Sequence, residues 1–160
     1  MTASTLARRV HPIAGCLALL TMLAFWTSTV AVELVGSTDD IAAVKDAIMW
    51  GLLVLVPAIA ATGGTGFVRA GRSRNAHILA KKRRMPAIGA IGILVLVPCV
   101  LYLGTTASAT GLGTYFHEVQ AVELAAGAVN ITLMSLNARD GLRLTRRIGR
   151  NTIAEHGRDA

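Results

Sequence analysis

The chain has 160 residues, of which 53% are hydrophobic and 16% charged, with a formal net charge of +7. Soluble domains carry about 25% charged residues and disordered chains are polar and charge-rich, so neither class fits. Two cysteines are too few for a disulfide scaffold and the length suits one domain, which leaves a small integral membrane protein.

Arg8 and Arg9 precede the first apolar run, which contains no Asp, Glu, Lys or Arg until Glu33. A helix needs roughly 20 residues to cross ~30 Å of hydrocarbon, so span one is expected near 11–32. Thr29-Val30-Ala31 is a passable signal-peptide cleavage site. The run is nevertheless longer than the roughly 7–15 residues of a signal core, so a retained span is expected. Ile13-Ala14-Gly15-Cys16 resembles a lipoprotein box, but the apolar run follows Cys16 instead of preceding it. His11, Gly15, Met22, Trp26, Thr29 and Glu33 form a weak stripe along this span, with Glu33 at its outer edge.

Asp39, Asp40, Lys45 and Asp46 follow, and from there to Arg69 the chain is again free of charge. This second gap places span two near 46–68, its end loosened by Thr62-Gly63-Gly64-Thr65-Gly66. Gly66 to Ser73 mimics a phosphate-binding loop, but that motif needs a preceding strand. The segment 69–84 carries Arg69, Arg72, Arg74, Lys81, Lys82, Arg83 and Arg84 with no acid. Such a loop attracts anionic lipid headgroups, at about 1 kcal/mol per charge before saturation. Nucleic acid is not expected as a partner, because basic flanks are usual beside a membrane span.

The third and longest charge gap, from Arg84 to Glu118, places span three near 86–107. Its phrase Gly92-Ile93-Leu94-Val95-Leu96-Val97-Pro98 repeats Gly51-Leu52-Leu53-Val54-Leu55-Val56-Pro57 of span two. The two spans run oppositely, so a true repeat would be inverted, as in many transporters. Chance among apolar residues explains the match more simply. Each proline removes a helix hydrogen bond and should bend its span.

Span four, near 117–138, is apolar apart from Glu118 at its mouth, Glu123 and a few uncharged polar residues. Phe116, Gln120, Glu123, Gly127, Asn130, Met134, Asn137 and Gly141 recur by alternate fours and threes, which keeps them on one helix face. Lipid penalises such a stripe, so it should face the bundle or a partner helix. Packing is the plainer reading, with glycines allowing close approach and amides bonding across helices. Glu123 argues for more, since an intramembrane ionisable group marks a functional site by default. Gln120, Glu123, Asn130 and Asn137 are therefore the candidate binding or assembly face.

With four spans, 15 of the 16 basic residues fall on one side, including the tail 139–160, and only Lys45 on the other. The bias towards positive charge inside places both termini in the cytoplasm. Lipid satisfies no backbone groups, so these runs should be helices. The expected fold is an all-α integral membrane four-helix bundle, with a homo-oligomer as the expected assembly. Haem can sit between bundle helices on histidine ligands. His11, His77 and His117 are the candidates for a haem b, although His11 and His117 belong to opposite ends. Glu33 could approach Glu123 or His117 and form a proton or cation entry. Cys16 and Cys99 sit at different depths, which disfavours a mutual disulfide. Asn130-Ile131-Thr132 spells a glycosylation site inside the membrane.

Phe25-Trp26-Thr27-Ser28-Thr29, Val32-Glu33-Leu34, Gln120-Ala121-Val122-Glu123-Leu124 and Asn137-Ala138-Arg139-Asp140-Gly141 together resemble small four-span bacterial inner-membrane proteins of uncharacterised function. The resemblance covers spans one to four. It implies a multi-pass inner-membrane bundle, and no catalytic role is carried over from it. Three functions remain open. The first is a nonenzymatic membrane protein with an internal polar binding or assembly face. The second is a small b-type haem protein exchanging electrons with quinone. The third is a proton-coupled transporter built on Glu123. The soluble segments are too short for a hydrolase or nucleotidase site.

Overall fold

The computed structural model describes the backbone of residues 3–70, 76–109 and 113–156. Side chains are described within those segments except at 3–4, 6–8, 67–70, 76–83, 108–109 and 144–156. Every regular element among the described residues is helical: α1 (Ala3–Val35), α2 (Thr38–Ala70), α3 (Ala76–Ile91), a π-helical segment (Gly92–Leu96), α4 (Val97–Ala109) and α5 (Thr114–His156). Four stretches are long and apolar enough to cross a membrane: Arg9–Val35, Thr38–Gly66, Arg84–Ala107 and Thr114–Arg143. The shortest has 24 residues, or about 36 Å at ~1.5 Å per residue.

Two boundaries differ from the sequence expectation. Span two begins at Thr38, not near 46, because the turn after α1 is so short that the charged residues become the first turns of α2. Ser37 caps this helix. Its hydroxyl accepts from the Asp40 amide at 3.2 Å, while the Asp40 carboxylate accepts from the Ser37 amide and hydroxyl, each at 2.8 Å. This is the reciprocal bonding of a capping box. Span four continues without a break into the basic tail, as far as His156.

The helices pack as a square. α1 contacts α2 and α5, while α3 and α4 contact α2 and α5. Among the described residues no backbone contact joins α1 to α3 or α4, or α2 to α5, so these are the diagonals. The end bearing the α1–α2 turn and the start of α5 is the acidic end. The opposite end is basic, and there Arg84 of α3 donates to Asp140 of α5 at 2.8 Å.

Glycines allow the close approaches. A Cβ on Gly51 of α2 would overlap the Phe25 ring of α1, and one on Gly104 of α4 would lie 3.2 Å from the Met49 sulfur. Ala18, Met22, Leu55, Ala58 and Leu96 form one apolar cluster, and Ile41, Leu103 and Phe116 a second towards the acidic end.

The two matching phrases fold differently. Gly51–Pro57 lies wholly within α2, whereas the segment Gly92–Leu96 widens into π geometry, with the Val97 amide donating to the Gly92 carbonyl. Pro98 follows at once and has no amide to donate, so one carbonyl before it loses its helical partner. A widened turn is a common response to such a break.

Burial is inverted relative to a water-soluble bundle. Leu34, Trp50, Leu53, Ile93, Leu94 and Tyr115 are exposed, while His11, Thr29, Lys45, Gln120, Glu123, Asn130 and Asn137 are buried. That distribution is compatible with a multi-pass membrane protein, whose outer surface lies in lipid.

Candidate functional site

The α5 stripe faces inward over its whole length. Phe116, Gln120, Glu123, Gly127, Asn130 and Asn137 are all buried, and Met134 is half-buried. The spacing of fours and threes thus puts this row against the interior of the bundle, and Val122 and Val129 on the outer surface.

Glu123 is paired. Its Oε2 accepts from Lys45 Nζ of α2, and the two side chains are 10% and 1% exposed. α2 and α5 are diagonal, so this ion pair crosses the centre of the bundle. Sequence alone puts Lys45 at the outer surface beside Asp39, Asp40 and Asp46. It lies instead on the inward row Ile41, Lys45 and Ile48, all buried. The reason is register. In a helix beginning at Thr38, Lys45 lies about 10 Å from the start, and Glu123 lies about 14 Å from the start of α5 at Thr114. The two lie at similar depths from the acidic end, and burial of either charge alone would be costly.

Below the pair is a cavity of about 40 Å³, lined by all four sides of the square. Thr29 and Trp26 come from α1, Ile48 and Leu52 from α2, Leu96 and Val100 from the third side, and Glu123 and Gly127 from α5. The walls of the cavity are almost wholly apolar, and a buried water needs polar partners as well as room. Trp26 borders it without being an interfacial anchor. Its indole N–H donates to the Leu124 carbonyl at 3.0 Å, and its ring rests where a Cβ on Gly127 would come within 3.1 Å.

Further towards the basic end lie Asn130, fully buried, and Asn137. The nitrogen and oxygen of both amides have no hydrogen-bond partner, nor do Gln120 Oε1 and Glu33 Oε1. The hydroxyls of the spans behave otherwise. Thr27, Thr62, Thr105 and Thr132 each donate to a carbonyl four residues earlier, at 2.7–2.8 Å. Such back-bonding is ordinary for short side chains in a helix. The expected cross-helix bonding of the amides is absent among the described residues. Gly92, at the head of the π segment, stands beside Asn130, with its Cβ position 3.9 Å from Nδ2.

The histidines do not converge. His11 is buried at the basic end, where Nδ1 lies 3.0 Å from the Thr62 carbonyl and 3.1 Å from the Thr65 hydroxyl, and its ring packs near Gly66. His117 is exposed at the acidic end, edge-on to Phe116. The side chain of His77 lies outside the described residues. Of the possible group Glu33, Glu123 and His117, Glu123 is engaged by Lys45 and His117 is exposed. Among the described residues no group of three or more His, Cys, Asp or Glu could hold a metal ion. Cys16 and Cys99 are both free thiols.

No protein-family model, curated protein or solved structure matches the chain.

Proposed function

We propose that the chain is a nonenzymatic multi-pass membrane protein whose α5 presents an internal binding face, formed by Gln120, Glu123, Asn130 and Asn137, to a small hydrogen-bonding ligand. One observation carries the reading: Asn130 and Asn137 are buried inside the bundle with donor and acceptor atoms unpartnered by protein. An orphaned buried polar group costs about 1–3 kcal/mol. Amides kept only for helix packing would be expected to bond across helices. An inward face also favours an interior ligand over assembly with another copy through this surface.

The setting goes with this reading: the bacterial inner membrane, both termini cytoplasmic, and anionic headgroups at the basic loop. Nothing in the arrangement of His11 and His117 favours haem over this interior site.

The test uses full-length protein in mild detergent, with native mass and an optical spectrum for wild type, Asn130→Leu and Asn137→Leu. Wild type should retain bound mass that both variants lose, while both variants melt at or above the wild-type temperature. Bare chain mass in all three, with the variants less stable, would make the amides structural. A Soret band would favour haem instead.

A further inference from the structure

The acidic end is short of positive charge. Residues 33–46 and 114–123 hold Glu33, Asp39, Asp40, Asp46, Glu118 and Glu123, six of the nine acids, against Lys45 alone of sixteen Lys and Arg. Four of the acids are exposed around the mouth, where clustered like charge concentrates counter-ions. The imbalance continues inside.

The bond from Trp26 to Leu124, and the cavity shared by Thr29 and Glu123, fix the register of α1 against α5. One turn nearer the acidic end, about 5.4 Å along each helix, come Glu33 on α1 and Gln120 on α5. Gln120 is 3% exposed, and its Oε1 and Glu33 Oε1 are buried without partners. Both orphan atoms are acceptors. This level and the one below it hold two carboxyl groups and one ammonium. The ligand such a compartment takes is therefore positive and small. An anion meets repulsion, and a neutral molecule leaves the excess charge in place.

We propose that Glu123, Glu33 and Gln120 form a site for a small monovalent cation, the proton included, with Lys45 the resident counter-charge that the cation displaces from Glu123. Lys45 of α2 is paired with Glu123 and Cys99 of α4 is within electrostatic reach of both, while the register places Glu33 of α1 about one turn away and exposed Glu118 lies further along α5. With a proton, hydronium transfers H⁺ to the Glu123 carboxylate, an O–H bond forms and water leaves. With sodium, the carboxylate and the Gln120 oxygen coordinate the ion. In both cases the ammonium keeps its protons and Glu33 remains to balance it. The proposal deepens the binding-face reading at its acidic end and needs neither Asn130 nor Asn137.

The test is equilibrium binding of radioactive sodium to the full-length chain in mild detergent, with proton release or uptake followed by an indicator dye. Saturable sodium binding that weakens as the pH falls would show both ions competing for the Glu123 carboxylate. Proton uptake after an acid pulse, present in wild type and absent in Glu123→Gln, without sodium binding, would show a proton site. Glu123→Gln should weaken sodium binding by roughly tenfold or more, the equivalent of about 1.4 kcal/mol. Gln120→Leu should weaken it several-fold, and Val129→Ala on the outer face should leave it unchanged. Lys45→Met should bind more tightly than wild type, and added sodium should raise its melting temperature. If wild type and Lys45→Met neither bind sodium nor exchange a proton that Glu123→Gln lacks, the proposal is overturned and the pair is a structural strut. That failure would leave ligand retention at Asn130 and Asn137 unaffected.

Discussion

At the scale of residues, the centre of the molecule is an ion pair whose two members are unequally visible in the sequence. Glu123 stands out because it interrupts an apolar run on a polar stripe. Lys45 does not, because it sits among Asp39, Asp40 and Asp46, and charged neighbours in sequence suggest a solvated link. What separates them is helical phase. Ile41, Lys45 and Ile48 face inward, while Asp39, Asp40 and Asp46 point away from the core. The signal that could have found Lys45 is its phase, on the face of Ile41 and Ile48, at a depth similar to that of Glu123 once α2 is begun at Thr38. Breaking a buried pair strands one charge, which typically costs about 3–5 kcal/mol, whereas replacing both partners by apolar groups is often neutral or stabilising. Lys45→Met and Glu123→Leu should therefore each lower the melting temperature in detergent, and the double variant should recover most of the loss. Additive losses would mean that the two side chains are not energetically coupled.

At the scale of elements, the helices and the inward face of α5 are legible because charge gaps and a regular polar spacing report length and phase directly. Gln120, Glu123, Asn130 and Asn137 all lie where the spacing puts them. The π segment is not legible. Its phrase is nearly identical to that of α2, so local sequence cannot account for the difference, and packing must contribute. Gly51 and Gly92 hold the same place in the two phrases but meet different neighbours. A methyl group at Gly51 would run into the Phe25 ring, while at Gly92 the nearest atom is Asn130 Nδ2 at 3.9 Å. Overpacking typically costs about 1–3 kcal/mol, whereas glycine in a helix interior is worse than alanine by roughly 0.5–1 kcal/mol. Gly51→Ala should thus destabilise the bundle, with Phe25→Leu restoring part of the loss, and Gly92→Ala should be neutral or slightly stabilising. Equal responses at the two glycines in thermal melts would revive the idea that the phrases are equivalent halves of a repeat.

At the scale of the whole molecule, polarity is sorted twice. Across the bundle, large apolar side chains cover the outside while the polar stripe of α5 lies inside beside the apolar clusters, which suits a solvent that cannot hydrogen-bond. Along the bundle, acids gather at one end and bases at the other, with Arg84 and Asp140 tying α3 to α5 at the basic end. The first sorting concerns the solvent, and the second concerns orientation, because Lys and Arg in short loops stay on the cytoplasmic side. Four crossings put both termini on one side of a membrane; three or five would separate them. The arrangement is open to test with single-cysteine reporters on a background in which Cys16 and Cys99 are replaced by alanine. Ser37→Cys lies in the turn at the acidic end, and Thr5→Cys and Arg143→Cys lie on exposed positions at the basic end. In intact bacterial cells a membrane-impermeant maleimide should label Ser37→Cys alone, and the other two should react only after permeabilisation. The reverse pattern would overturn the orientation while leaving four crossings. Labelling of only one of Thr5→Cys and Arg143→Cys in intact cells would require an odd number of crossings, and would then remove the common acidic mouth through which a cation reaches Glu123.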